Sequence, residues 1–319
     1  MRNTLAALAA LAVAPIAPMQ AAAQDYPAKT IRIVVPFAPG GGSDAITRML
    51  AEKMSADLKA SVIVENKPGA SGIIGTDTVF KAAPDGYVLL VANGAITSNP
   101  WLYKLPYDTE KLTPVALISA APQLLAAHPS APFKSFREMI AYGKANPGKL
   151  TIATAGAGQL SHLAVELLEK SAGISVTKVH YKGSGNALAD LLGGQIHASF
   201  GTAPGLIPHV KGGKLVAIAT SGARRIPQLP DVPSIGETLP GYDLVNWFGV
   251  FAPPQTPRPI VDRLYQSISR AMAQPAFIDK LAADGFEPRE LSPEKFDRMF
   301  RGELEYWQKF VKDNDIKVD

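Results

Sequence analysis

Two glycine-rich stretches carry the residues of this chain best suited to chemistry, and that chemistry is the holding of an anion. The first, Phe37-Ala38-Pro39-Gly40-Gly41-Gly42-Ser43-Asp44, joins the apolar run Thr30–Phe37 to a helical pattern from Ala45 to Leu58. A strand-to-helix turn leaves the N–H groups of the helix start unpaired and places the positive end of the helix dipole beside them. Glycine lets backbone approach a bound group with no Cβ in the way, and Ser43 adds a hydroxyl donor. Asp44 reads first as a first-turn cap and only second as a ligand contact, because a carboxylate repels the anion such a turn attracts. The second stretch, Ala155-Gly156-Ala157-Gly158-Gln159-Leu160-Ser161-His162, stands between the run Leu150–Ala155 and a helical pattern over Ser161–Ala172. Its His162 reads first as a satisfied helix residue and second as a ligand contact.

Further candidates lie where other strands end: Asn93 to Thr97, Tyr181-Lys182-Gly183, Gly201-Thr202 and Asn246-Trp247-Phe248. Trp247 and Phe37 are suited to sandwich an apolar ligand body, and hinge packing accounts for Trp247 equally well. No arginine lies in either glycine stretch, so capture by backbone dipoles is expected in place of a bidentate guanidinium clamp. A rival reading is a dinucleotide site in an exported enzyme of carboxylate metabolism, since Gly40-x-Gly42-x-x-Ala45 opens a helix and Glu65 follows 20 residues after Ala45. Such short patterns are weakly specific, and the Pro39 and triple-glycine context is unusual for one. The chain has no G-x-S-x-G elbow, no H-E-x-x-H helix, no phosphate loop of the GxxxxGK[ST] type and no cysteine. Its five histidines (His128, His162, His180, His197, His209) are scattered. The expectation is therefore a binding protein with no catalytic residue, no metal and no cofactor.

The elements that must position these stretches follow from the pattern of apolar residues. Arg2, the apolar Leu5–Ile16 and the small residues Ala21-Ala22-Ala23 read as an export signal over 1–23, cleaved near Ala23. The remaining 296 of 319 residues exceed the size of most single cores and suggest two lobes. Without Arg2 the balance is 31 basic against 28 acidic residues, too even for nucleic acid. Strands at Ser61–Glu65 and Tyr87–Ala92, with a helix at Gly72–Ala83, complete a first strand–helix alternation. Thr177–Tyr181, Gly185–Gly193, Ile196–Phe200 and Leu215–Thr220 repeat it in the second. Two apolar runs, Thr113–Ala127 and Val245–Pro253, are the natural crossing segments, and Pro257–Val311 reads as helices returning to the first lobe. The expected division is 24–117 with 247–319 for lobe 1 and 118–246 for lobe 2. Ligands of open α/β sheets sit beyond the carboxyl ends of strands, so both glycine turns face the gap between lobes.

With these residues in view, the chain resembles the Bug-type extracytoplasmic solute receptors of tripartite tricarboxylate transporters. The resemblance rests on Val35-Pro-Phe-Ala-Pro-Gly-Gly-Gly-Ser-Asp44, Val64-Glu-Asn-Lys-Pro-Gly69, Ala83-Pro-Asp-Gly-Tyr87, Pro106-Tyr-Asp108, Ser161-His162-Leu163, Tyr181-Lys-Gly183, Asp190-Leu-Leu-Gly-Gly194, Leu229-Pro-Asp-Val-Pro233 and Trp247-Phe-Gly249, in order along the mature chain. It implies an α/β, two-lobed type II periplasmic-binding-protein fold, each lobe a mainly parallel sheet flanked by helices with the ligand cleft between. It further implies a periplasmic monomer that grips a small carboxylate at the turns 37–44 and 155–162, largely through backbone groups and water. Delivery would be to the permease subunits of a tripartite membrane transporter. Where relatives often carry Asp-Asn after the strand matching Ile196–Phe200, this chain has Gly201-Thr202. A negative charge is missing there, so the resemblance does not carry over the identity of the carboxylate.

Overall fold

The computed structural model describes residues 26–40, 42–181, 183–283 and 285–318. The expected signal over 1–23, with its cleavage point near Ala23, and Gly41 lie outside the described residues. In the first lobe β1 (Ile31–Val35), α1 (Gly42–Leu58), β2 (Val62–Asn66), α2 (Ile73–Phe80), β3 (Val88–Asn93) and α3 (Ala95–Leu102) follow in order. Ile31, Ile33, Val34 and Val35 are fully buried, the unbroken apolar run of a parallel strand covered on both faces. α1 begins three residues before the helical pattern suggested, so Gly42 and Ser43 belong to its first turn.

β4 (Thr113–Ala127) leads to α4 (Phe136–Ala145), β5 (Leu150–Thr154), α5 (Leu160–Ala172), β6 (Val176–His180), α6 (Ser184–Leu192), β7 (Ala198–Thr202), α7 (Ala203–Lys211) and β8 (Val216–Thr220). α4 was not anticipated, although the Ser135 hydroxyl accepts from the Glu138 N–H and so marks its start. The chain returns along β9 (Val245–Ala252), followed by α8 (Arg258–Met272), α9 (Pro275–Ala283), β10 (Glu287–Leu291) and α10 (Pro293–Asp313). α9 and α10 both open on a proline, as the missing N–H allows. None of the described helices is long and apolar enough to cross a membrane.

β1 pairs in parallel with β2 and β3, and β5 in parallel with β6 and β7. Between these blocks the crossing strands run antiparallel, β9 against β3 and β4 against both β9 and β7, giving the order β2-β1-β3-β9-β4-β7-β5-β6. β4 belongs to both lobes: residues 113–122 pair with β9, and residues 123–127 pair with β7. The sheets are therefore mixed, with parallel outer strands and antiparallel crossings.

Strand parity sorts β9 between two cores. Phe248, Val250 and Ala252 join α1 and α8, whereas Trp247 and Phe251 join Phe296, Phe300 and Leu304 of α10. Farther along, Trp307 and Val311 of α10 and the following Ile316 pack into the second lobe's core with Leu163, Leu168 and Tyr242. Side chains of α10 thus contribute to two cores, one with β9 and one with α5.

Gly249 shares the parity of Trp247 and Phe251, and a Cβ placed on it would lie 2.2 Å from Cζ of Phe296. That ring is wedged among Trp247, Phe251 and Phe300 and has nowhere to move. Gly249→Ala is expected to destabilise the protein by about 1–3 kcal/mol through overpacking. Gly302→Ala, on a face of α10 where an added Cβ meets nothing within 4 Å, is expected to stabilise it by about 0.5–1 kcal/mol. Urea titration of both variants checks the contrast.

Candidate functional site

The first glycine turn is held from within. Asp44 Oδ2 accepts from the Gly40 N–H at 2.9 Å and from Arg48 Nε at 3.0 Å, while Oδ1 accepts from Asn66 Nδ2 at 3.0 Å. The same Asn66 amide donates to the Phe37 carbonyl at 3.1 Å, tying the turn to the end of β2. Burial opposes the charge on Asp44, yet the hydrogen bonds of Arg48, Gly40 and Asn66 hold its carboxyl below the usual carboxylate range. Asp44 is 4 % exposed and its oxygens accept from Gly40, Arg48 and Asn66, so it shapes the turn. Gly40, at φ +83°, spends its N–H on Asp44 as well. What remains is the first turn of α1, where the N–H groups of Gly42 and Ser43 have no intrahelical acceptor. The Ser43 hydroxyl makes no hydrogen bond among the described residues. Phe286 and Phe248 floor the turn, 3.2 and 3.7 Å from where a Cβ on Gly42 would lie.

The second turn repeats the device with different residues. Ser161 Oγ accepts from the Ala155 N–H at 2.9 Å, and His162 Nδ1 accepts from the Gly158 N–H at 3.1 Å. An accepting Nδ1 leaves the proton on Nε2, which donates to Glu166 Oε1 at 3.2 Å. Lys178 Nζ completes the chain at 2.5 Å from Glu166 and 2.7 Å from Glu169. Burial works against the Glu166 charge, but the hydrogen bonds from His162 and Lys178 bring its carboxyl down to about 2. The His180 ring stands edge-on to His162 at 4.6 Å, with Nδ1 2.7 Å from Thr154 Oγ1. His162 therefore braces the turn, and Ala155 and Gly158, expected as donors to a ligand, have their N–H groups taken by protein side chains. The N–H groups of Gly156 at φ +147°, Ala157 and the first-turn residues Leu160 and Ser161 of α5 have no acceptor among the described residues.

The remaining candidates divide. Asn246 Oδ1 accepts from the Gly94 N–H at 3.3 Å and Asn93 Oδ1 from the Ala95 N–H at 3.1 Å, so both order the start of α3. Thr202 precedes α7, and a Cβ on Gly201 would stand 3.0 Å from Leu206 Cδ1, a tight contact. Tyr181 turns its hydroxyl to Asp190 at 2.6 Å, while its carbonyl borders Gly156. Phe37 lies against Gly72 and makes no ring contact with Trp247. Thr97 and Trp247 do not line the gap as expected. Thr97 is fully buried, Trp247 is 2 % exposed, and both donate to Glu303 Oε2, at 3.2 and 2.7 Å. The alternation along β9 that sends Phe248 one way sends Trp247 the other, toward α10. Sequence reasoning missed Asn66 and Arg48, although the turn chemistry of Asn66-Lys-Pro-Gly69 marks the segment. It also missed Ser71, Tyr103 and Phe286, which carry no local signal. Among the described residues no group of three or more His, Asp or Glu is placed to hold a metal ion.

Glu303 borders a cavity of about 180 Å³ with Asp243, Arg289 and Met299. Burial pushes its carboxyl up to about 7, against the hydrogen bonds of Trp247 and Thr97 and the charge of Arg289. An acid held neutral by the fold contributes stability that is complete below its unfolded value near 4.5 and is lost as pH rises through about 7. Glu303→Gln is expected to match the parent protein at acidic pH and to exceed it at pH 8 by roughly 1–3 kcal/mol. Urea midpoints measured across that range check it.

Comparison with known proteins gives the family of the chain. The model of the tripartite tricarboxylate transporter family receptor, TctC, matches residues 46–316. Protein BugT of Bordetella pertussis is 34% identical over 301 residues, covering 93% of this chain and 92% of its own. A solved structure of R. palustris Rpa4515 with adipate superposes with a TM-score of 0.86 at 32% identity, covering 92% of this chain and all of that one. MatC from Rhodopseudomonas palustris with bound malate superposes with a TM-score of 0.81 at 32% identity, covering 90% of this chain and all of that one. A family match over most of the chain, relatives of similar length and a shared two-lobed architecture leave one assignment: this chain belongs to the tripartite tricarboxylate transporter receptor family.

Proposed function

We propose that this chain is an exported periplasmic receptor, acting as a monomer, that captures a small carboxylate between its lobes and delivers it to membrane permease subunits of a tripartite transporter. In this reading the lobes meet at the crossing strands, near residues 118–122 of β4 and the start of β9. The observation that carries it is the pair of helix starts, one per lobe, whose outward N–H groups survive after the inward ones are taken up by Asp44, Ser161 and His162. Gly42, Ser43 and the Ser43 hydroxyl donate from the first lobe, and Gly156, Ala157, Leu160 and Ser161 from the second. An ionised carboxylate gains charge-assisted hydrogen bonds and two favourable helix dipoles at such a place. Phe37, Ala38 and Pro39 border it on the first lobe, and Tyr181, Gly201 and Thr202 on the second. The relatives solved with adipate and malate support the ligand class, and the absence of cysteine suits an oxidising compartment.

The rival dinucleotide reading makes the opposite forecast in one assay. Malate, adipate and a wider panel of mono- and dicarboxylates are added to the mature protein in a thermal-shift screen, with NAD alongside. A true ligand at about 100 times its Kd adds about 2.7 kcal/mol and raises the melting temperature by several degrees, while NAD leaves it unchanged. Stabilisation by NAD with none by any carboxylate overturns the receptor reading.

A further inference from the structure

The two lobes touch at the second glycine turn, through residues that the binding of a carboxylate does not itself require. Tyr103, just past the end of α3, donates its hydroxyl to the Ala157 carbonyl at 2.8 Å. Ser71 Oγ lies 3.2 Å from that hydroxyl and 3.4 Å from the same carbonyl. Ser71 is aimed across the gap by an uncommon backbone: φ is +45° at Ala70 and +54° at Ser71, between Gly69 at +132° and Gly72 at +91°. Non-glycine residues adopt that region at a cost, so their neighbours must hold them in it. Asn99 does so, donating from Nδ2 to the Ser71 carbonyl at 3.1 Å.

We propose that Tyr103, supported by Ser71, is a positioning residue for solute retention, a latch from the first lobe that fixes the orientation of the second lobe's anion-holding turn. The peptide between Ala157 and Gly158 is clamped at both ends: His162 takes its N–H from within the lobe, and Tyr103 holds its oxygen from the other lobe. With that plane fixed, the N–H groups of Ala157 and Gly156 that precede it are fixed as well. When the lobes part, the oxygen clamp is lost and the donors on the turn loosen together, which links closure to affinity. Gly158 acquires a role different from ligand approach, since a Cβ there would lie 2.5 Å from the Tyr103 hydroxyl and the latch could not seat. Tyr103 also lines a cavity of about 450 Å³ with Trp101, Lys104, Tyr107 and Leu304.

The coupling to affinity rests on the receptor reading, whereas the latch itself can be tested without a solute. Because the chain has no cysteine, one can be placed at Glu52 and one at Lys170, both exposed and in opposite lobes, and spin-labelled for pulsed distance measurement. The parent protein, Tyr103→Phe and Ser71→Ala are compared with and without malate or adipate, with circular dichroism confirming that each is folded. A short distance is expected in the parent and a longer or broader one in Tyr103→Phe, with Ser71→Ala in between. For the carboxylate that binds, stopped-flow mixing is expected to show dissociation faster by roughly 3- to 10-fold in Tyr103→Phe, the span of one net hydrogen bond, with association changed less than twofold. Unchanged distances and an unchanged dissociation rate in Tyr103→Phe overturn the proposal, as does a parent protein whose lobes stay apart in every condition. If no carboxylate binds the parent, the receptor reading fails and the distances alone decide the latch.

Discussion

The first four N–H groups of an α-helix have no partner inside the helix, and the architecture of this protein follows from where two such sets are sent. In each lobe a strand ends, a glycine-bearing turn follows and a helix begins, so the unpaired donors collect at one edge of the sheet. Left to themselves these turns would be pliable and their donors would point in several directions. Each is instead braced by a side chain from the first turn of its own helix, Asp44 in one lobe and His162 in the other. The brace takes up the donor that faces inward. The donors left over are those without a protein acceptor, on a turn that its own helix holds in place.

Around these turns, the crossing strands and the last helix carry the mechanical connection. β4 and β9 lie side by side in the middle of the sheet order, and α10 reaches from the aromatic core of Phe251, Phe296 and Phe300 to the second lobe's core at Trp307 and Val311. Glu303 lies between these two contact regions and joins α10 to Trp247 of β9 and Thr97 of α3 through one carboxyl oxygen. A partly buried acid at that point makes the packing of three elements sensitive to a single proton. The two-lobed plan thus has stiff bodies and a narrow region in which their relative position is set.

Most of the fold could be read from the chain because its signals are local. Unbroken apolar runs such as Ile31–Val35 mark strands covered on both faces, and glycine turns before helical periodicity mark the strand–helix joints. The proposed location of the site rests on the same signals. Its finer structure was harder, because it depends on which donors the protein uses itself. One signal is local: Asp44 follows Gly40 and His162 follows Gly158 by the same four residues, the spacing at which a side chain in a helix's first turn folds back on the turn before it. Trp247 was readable too, since it stands four residues before Phe251 on a strand and so shares its face. Asn66, Ser71, Tyr103 and Glu303 act across 22 to 206 residues of chain, and no local pattern encodes such partnerships.

β4 is one fifteen-residue strand shared between the lobes, with pairing irregularities near Pro114–Ala116, Leu117–Ser119 and Leu125–Ala126. Its two halves have no flexible tether between them. Any swing of one lobe must be taken up as curvature along a continuous ribbon that is softened at those irregular points, much as a leaf spring bends. A change in the angle between the lobes would therefore have to bend this strand, because β4 pairs with β9 over residues 113–122 and with β7 over 123–127.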